Sequence, residues 1–313
     1  MRYMNPGFFE WIPVILGNTS GGNISDATKS KTGTAFRNSY YGNYIPLPYG
    51  DIWCKFDFYA VYYSFFYIGE FRNNSNLYNA IILNLTSSGK FGIDVYVKGT
   101  RTTFVSETDY REYGIKINDI NSALIHWKWA DTENGFINVQ INDRIFGSFE
   151  SVDLIPFDNS VIKFFLYNNG SQNAPISNVI ISDEEISIKE QIVSLPITSI
   201  QSDMIFDSET GIYTATAANQ SLLASVNVAD LISDFGSASK VTGVTMVGNP
   251  AYRTAEGLSS LTSISKKNNT VTEYGAVNIP TDSDTVVTHS FKVATDTTIA
   301  DLQSMQLGWK VGG

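Results

Sequence analysis

The stretch Ile125–Phe149, IHWKWADTENGFINVQINDRIFGSF, decides the fold. Ile125, Trp127 and Trp129 alternate with His126 and Lys128, the period of two expected of a strand with one buried face and one wet face. Asp131-Thr132-Glu133-Asn134-Gly135 is rich in residues that accept turn conformations, so the chain reverses into Phe136-Ile137-Asn138-Val139-Gln140-Ile141. Asn142-Asp143 reverses it again. The resulting meander has an apolar face that requires a second sheet to cover it.

Working outward, Asp51 to Tyr59 (DIWCKFDFY) reads as a strand and Tyr62 to Glu70 as its partner. Ile81 to Leu85 and Lys90 to Lys98 form a hairpin around Thr86-Ser87-Ser88-Gly89. In its second strand Phe91, Ile93, Val95 and Val97 oppose Gly92, Asp94, Tyr96 and Lys98. Thr102 to Ser106, Gly114 to Asn118, Val161 to Tyr167 and Val179 to Ile181 read as further strands. Roughly ten to twelve strands are too many for one sheet and predict two layers. Ser39 to Tyr49, where tyrosines mix with Gly and Pro, reads as an irregular loop carrying exposed rings.

After Ile188, KEQIVSLPITSIQSD reads as a connection to a second domain poorer in aromatics. Strands are expected at Gly211 to Ala215, Val241 to Val247, Leu261 to Lys266, Val271 to Ile279, Thr285 to Val293 and Leu307 to Val311. A short helix is expected at Val228 to Phe235, with Asn227 as its N-cap and Gly236 as its left-handed stop. Thr298 to Leu302 should be a helical turn before the last strand. The expected fold class is therefore all-β, two tandem antiparallel β-sandwich domains over residues 1–188 and 189–313.

Composition narrows the role. The 313 residues carry a net charge of -10 and only 17% charged side chains, with 17 Tyr and 19 Phe. No basic stripe is available to neutralise phosphates, which argues against nucleic-acid binding. Cys54 is the one cysteine, set in a strand-like run, so it reads as a buried thiol; two His cannot build a histidine-rich metal centre. The apolar run Phe8 to Leu16 is broken by Glu10 and Pro13, so neither a signal peptide nor membrane insertion is expected.

Asp51 to Tyr59, the hairpin Phe91 to Gly99, His126 to Asp143 and Ser177 to Ile186 resemble, in that order, the strands of concanavalin A-like (laminin G-like) jelly rolls. The resemblance covers residues 1 to 188 and implies a lectin-like or adhesive module, less often a glycan hydrolase. Thr298 to Trp309 resembles the closing strand of a second jelly-roll module, of a kind associated with phage and prophage structural proteins. The resemblance implies a non-enzymatic virion protein such as a head or tail fibre or decoration protein. Its expected partners are other virion proteins, a cell-surface glycan and further copies of itself as a homo-oligomer. It would be made in the bacterial cytoplasm and act in the virion, without a cofactor. A glycan hydrolase on the same fold and a purely architectural subunit are the alternatives.

The residues decide little between them. Catalytic relatives of this jelly roll carry E-x-D-x-E on one strand, and that motif is absent. Asp183-Glu184-Glu185 reads as a solvated strand end. Glu107, Asp109 and Glu112, in an expected loop, could meet a cation but read first as solvated charges. Ser122 and His126 share one face of a strand without reason to touch. Sugar recognition asks for flat rings and hydrogen-bonding groups on a rigid frame. Tyr40, Tyr41, Tyr44 and Tyr49 supply rings, and Asp131, Glu133 and Asn134 supply polar groups.

Overall fold

The computed structural model describes residues 2–5, 23–25, 34–36, 40–44, 51–71, 78–128, 130, 133–154, 163–170, 176–193, 195–248, 251–253, 257–281 and 287–312. The chain divides into two compact units, Met1–Val193 and Ser194–Gly313.

In chain order, the strands of the first unit are β1 (Arg2–Asn5), β2 (Asn23–Ser25), β3 (Thr34–Phe36), β4 (Tyr40–Tyr44), β5 (Asp51–Tyr59), β6 (Ser64–Phe71) and β7 (Tyr78–Leu85). They continue with β8 (Lys90–Val97), β9 (Thr100–Asp109), β10 (Ile120–Lys128), β11 (Phe136–Ile141), β12 (Arg144–Glu150), β13 (Lys163–Gly170) and β14 (Ile176–Ser182). All pairings are antiparallel. An eight-stranded sheet runs β12-β11-β10-β5-β14-β3-β2, with β1 also on β14, and a six-stranded sheet runs β4-β13-β6-β7-β8-β9.

The meander read from Ile125–Phe149 is present as β10-β11-β12, with Trp127 opposite Ile137 and Ile125 opposite Val139. Alternation does the rest. Ile52, Cys54, Phe56 and Phe58 of β5 and Ala123, Ile125 and Trp127 of β10 face Phe66, Ile68, Ile81, Leu83, Phe91, Ile93 and Val95 of the other sheet in one core. Cys54 is buried there, and burial pushes its thiol pKa well up from the ordinary value.

Three expectations fail in this unit. The Tyr62 to Glu70 segment is not the hydrogen-bonded partner of Asp51–Tyr59: β5 pairs with β10 and β14, whereas β6 pairs with β7 and β13. Positive φ at Tyr63 (64°) marks the crossing between sheets. Gly114 to Asn118 is not a strand; the 3-10 turn Tyr110–Tyr113 ends in left-handed Gly114 and leads into turns. The tyrosine segment is a strand where it is described, since Tyr40–Tyr44 pairs with Tyr167 through Lys163. A partner strand satisfies the backbone that a loop would have left to solvent.

The second unit contains β15 (Ile197–Ser202), β16 (Ile205–Asp207), β17 (Ile212–Thr214), β18 (Ser221–Val226), α1 (Ala229–Phe235), β19 (Val244–Gly248), β20 (Ser260–Lys267), β21 (Thr270–Asn278), β22 (Val287–Phe291), α2 (Ile299–Gln303) and β23 (Gln306–Gly312). These make a five-stranded antiparallel sheet, β15-β18-β23-β20-β21, and two-stranded ribbons β16-β17 and β19-β22. Two apolar clusters fill it, one around Phe291, Leu302 and Leu307 and one around Leu261, Trp309 and Val311. The stretch expected to be only a connection supplies β15.

Helix ends follow local chemistry. Thr298 and Asp301 form a reciprocal capping box on α2. Val228 occupies the N-cap of α1, while Asn227 Oδ1 accepts from Ala229 N at 3.0 Å, and Gly236 at φ 83° ends the helix. Among the described residues no helix is long and apolar enough to cross a membrane.

Candidate functional site

Because Phe91, Ile93 and Val95 of β8 face the core, Gly92, Asp94 and Tyr96 face outward. Register extends this pattern across the six-stranded sheet. Tyr40 pairs with Tyr167, Tyr167 with Tyr67, Tyr67 with Ile82, Ile82 with Asp94 and Asp94 with Thr103. The neighbouring rows carry Tyr96 opposite Arg101 and Asn84 opposite Gly92. Cross-strand partners of this kind share one face, so Tyr96 and Arg101 fall with Asp94, Thr103 and Asn84 on one sheet surface, and Tyr40, Tyr167 and Tyr67 occupy the same register row.

The polar members are tied down. Asp94 is 5% exposed; its Oδ2 accepts from Arg101 Nη2 at 2.6 Å and its Oδ1 from Thr103 Oγ1 at 3.1 Å. The hydrogen bond to Asp94 and that carboxylate's charge raise the Arg101 pKa, yet more than half of the Arg101 side chain remains exposed. Asn84 Nδ2 donates to Glu107 Oε1 at 2.9 Å, and the buried Asn84 Oδ1 accepts no hydrogen bond among the described residues. A Cβ on Gly92 would lie 2.9 Å from Glu107 Cγ, so glycine leaves the room in which Glu107 crosses the strand.

The opposite outer surface, on the eight-stranded sheet, is closed along its middle. Lys55 and Asp57 of β5 are wholly buried, and Ile192 N donates to Asn178 Oδ1 at 2.8 Å, which pins the end of the unit near β14. Ile186 and Ile188 of that leg are buried. Trp53 and His126 stack there at 3.8 Å with 13° between planes. Burial lowers the His126 pKa, with Asp51 opposing the shift.

Of the residues nominated from sequence, Tyr40 falls in the row of Asp94, and Tyr41 and Tyr44 lie on the same edge strand, opposite Leu166 and Lys163. Glu133 and Asn134 are exposed in the β10–β11 turn of the other sheet and are not joined to that row. Tyr49 and Asp131 lie outside the described residues. Asn84, Asp94, Tyr96, Arg101, Thr103 and Glu107 were not nominated as sugar-binding residues. Their signal was the polar half of the β8 alternation and the Thr-Arg-Thr-Thr run beside it.

Other candidate chemistry dissolves. Glu107 and Asp109 lie on strand β9 rather than in a loop, and Glu112 lies in the 3-10 turn. Among the described residues no three His, Cys, Asp or Glu side chains gather as a metal site. Ser122 Oγ donates to Asp57 Oδ1 at 2.6 Å while His126 stacks on Trp53, so the two form no triad.

No protein-family model and no curated protein matches the chain. Among solved structures it is similar to an endo-β-1,4-glucuronan lyase from the fungus Trichoderma reesei, with 12% identity over 57% of this chain and 94% of that one and a TM-score of 0.41. It is also similar to alginate lyase Aly36B, with 11% identity, 54% and 88% coverage and a TM-score of 0.35. Sheep galectin-11 gives 9% identity, 46% and 97% coverage and a TM-score of 0.32. These likenesses are distant and carry no argument about family, ligand or activity.

Proposed function

We propose that the first unit is a concanavalin A-like jelly roll that binds carbohydrate on the outer face of the six-stranded sheet, and that the protein is a non-enzymatic adhesion or structural subunit. The observation that carries the reading is the shared register of Tyr40, Tyr167 and Tyr67 with Asp94, flanked by Tyr96, Arg101, Asn84 and Glu107. A flat ring such as Tyr96 next to fixed donors and acceptors suits a sugar, whose ring faces are apolar and whose edges carry hydroxyls. Two carboxylates of this face are already engaged, Asp94 by Arg101 and Thr103 and Glu107 by Asn84, which favours recognition over acid-base catalysis there. The wider setting, a homo-oligomeric phage or prophage virion protein with a second jelly roll over residues 189–313, rests on the sequence resemblances and the acidic, charge-poor composition. A glycan array probed with the purified chain and with Arg101→Ala tests the binding reading: glycans retained by the wild type and lost by the variant support it. Equal signals from both proteins contradict it.

A further inference from the structure

The buried polar group on the eight-stranded sheet has no part in sugar recognition. Lys55, Asp57 and Asn178 are each 0% exposed, and Ser122 beside them is 7% exposed. Lys55 Nζ lies 2.8 Å from Asp57 Oδ1, which also accepts from Ser122 Oγ at 2.6 Å. Asn178 Nδ2 donates to Asp57 Oδ2 at 2.8 Å. One carboxylate thus holds a primary amine on one oxygen and a carboxamide on the other, out of reach of water.

The backbone brings them together deliberately. Lys55 is opposite Ile180 and Asp57 opposite Ser177, and the β-bulge between those pairs inserts Asn178, at φ 52°, between them. Ile192 N fixes the Asn178 carboxamide from behind by donating to Oδ1. A buried ion pair is by itself a weak source of stability, since well-packed apolar residues often do as well. The added carboxamide and the strained bulge call for another explanation.

We propose that Lys55 and Asn178 join in an intramolecular isopeptide bond, with Asp57 as the proton-transferring residue. Proton transfer from the Lys55 ammonium to the Asp57 carboxylate removes two charges from a dry site and leaves the amine with its lone pair. Nζ then attacks Asn178 Cγ while Asp57 returns its proton to the carboxamide. Collapse of the tetrahedral intermediate forms the Nζ–Cγ amide and breaks the Cγ–Nδ2 bond. Asp57 then relays a second proton from Nζ to the leaving nitrogen, which departs as ammonium carrying both protons lost by Lys55, and Asp57 ends as a carboxylate. Nothing is oxidised or reduced. The bond would staple β5 to β14, which are distant in sequence.

Intact mass spectrometry of the full-length chain, followed by a tryptic map, tests this. The expected result is a mass lower than the sequence mass by one ammonia, about 17 Da, with a branched peptide joining Lys55 to Asn178 and no cleavage after Lys55. Asp57→Asn and Lys55→Met should restore the full mass. If either variant fails to fold, the wild-type map alone decides. A linear peptide ending at Lys55 together with an unmodified peptide containing Asn178 overturns the proposal. Ammonia loss traced instead to a succinimide at another asparagine overturns it as well.

Discussion

Gly308 sits in β23, the central strand of the five-stranded sheet, opposite Leu223 on one side and Ile264 on the other. A Cβ built there would collide with the Leu222 carbonyl oxygen and lie 2.8 Å from its carbonyl carbon. The obstacle is backbone that no rotamer change can move aside. To admit a methyl group, β18 and β23 must separate locally and lose ladder hydrogen bonds worth about 1 kcal/mol each. Overpacking strain of about 1–3 kcal/mol adds to this. Gly308→Ala should therefore destabilise the second unit by about 3–5 kcal/mol in urea unfolding. Gly211→Ala is the control. Gly211 has φ 73° and nothing within 4 Å of the added Cβ, so only the left-handed backbone penalty of about 1–2 kcal/mol applies. A Gly308→Ala cost no larger than that of Gly211→Ala would refute the close-approach argument.

Trp127, 2% exposed in the core of the first unit, should cost about 3–5 kcal/mol when replaced by alanine, read from the denaturation midpoint of that unit. Both histidines have pKa values lowered by burial, and His289 Nδ1 shares a 2.7 Å hydrogen bond with Ser263 Oγ. The unfolded chain therefore takes up protons first as pH falls from about 6.5, so stability should be level above that pH and decline below it. His289→Asn should flatten part of that decline in a series of melting temperatures; an unchanged slope would contradict the assignment. Cys54 should resist a thiol reagent in the native protein and react fully in denaturant, because burial keeps it as the inert thiol.

Strong alternation proved legible. The stretches around Trp127 and Phe91 alternate apolar with polar or small residues, and their turns are spelled by Asn, Asp, Ser and Gly. The fold was less legible where tertiary pairing overrides local signal. Tyr40–Tyr44 looks like a loop because Gly42 sits among the tyrosines, and only pairing with β13 makes it a strand. Ile197–Ser202 is an edge strand whose Ile197 and Ile200 stay exposed, so it shows no buried face to detect. The sheet assignment of Ser64–Phe71 depends on a crossing at Tyr63 that no periodicity encodes.

The candidate site was legible only in part, for a related reason. Asp94, Tyr96, Arg101 and Glu107 read as the solvated half of ordinary strands, and only register shows that they share a face with one another. Register is a pairing across strands and leaves no trace in a single segment. Lys55 and Asp57 show the opposite case. Charged residues alternating with Cys54 and Phe56 suggest a wet face, yet both are completely buried.

The measurement that bears most directly on the account is glycan binding by the purified chain, compared across wild type, Arg101→Ala, Tyr96→Ala and a Glu133→Ala control on the other sheet. The account predicts that the two substitutions on the six-stranded sheet each weaken binding by about tenfold or more, the loss of roughly 1.4 kcal/mol or above, while the control binds as wild type. Binding that survives both substitutions but is lost in Glu133→Ala would place recognition on the β10–β11 turn instead and contradict the central claim.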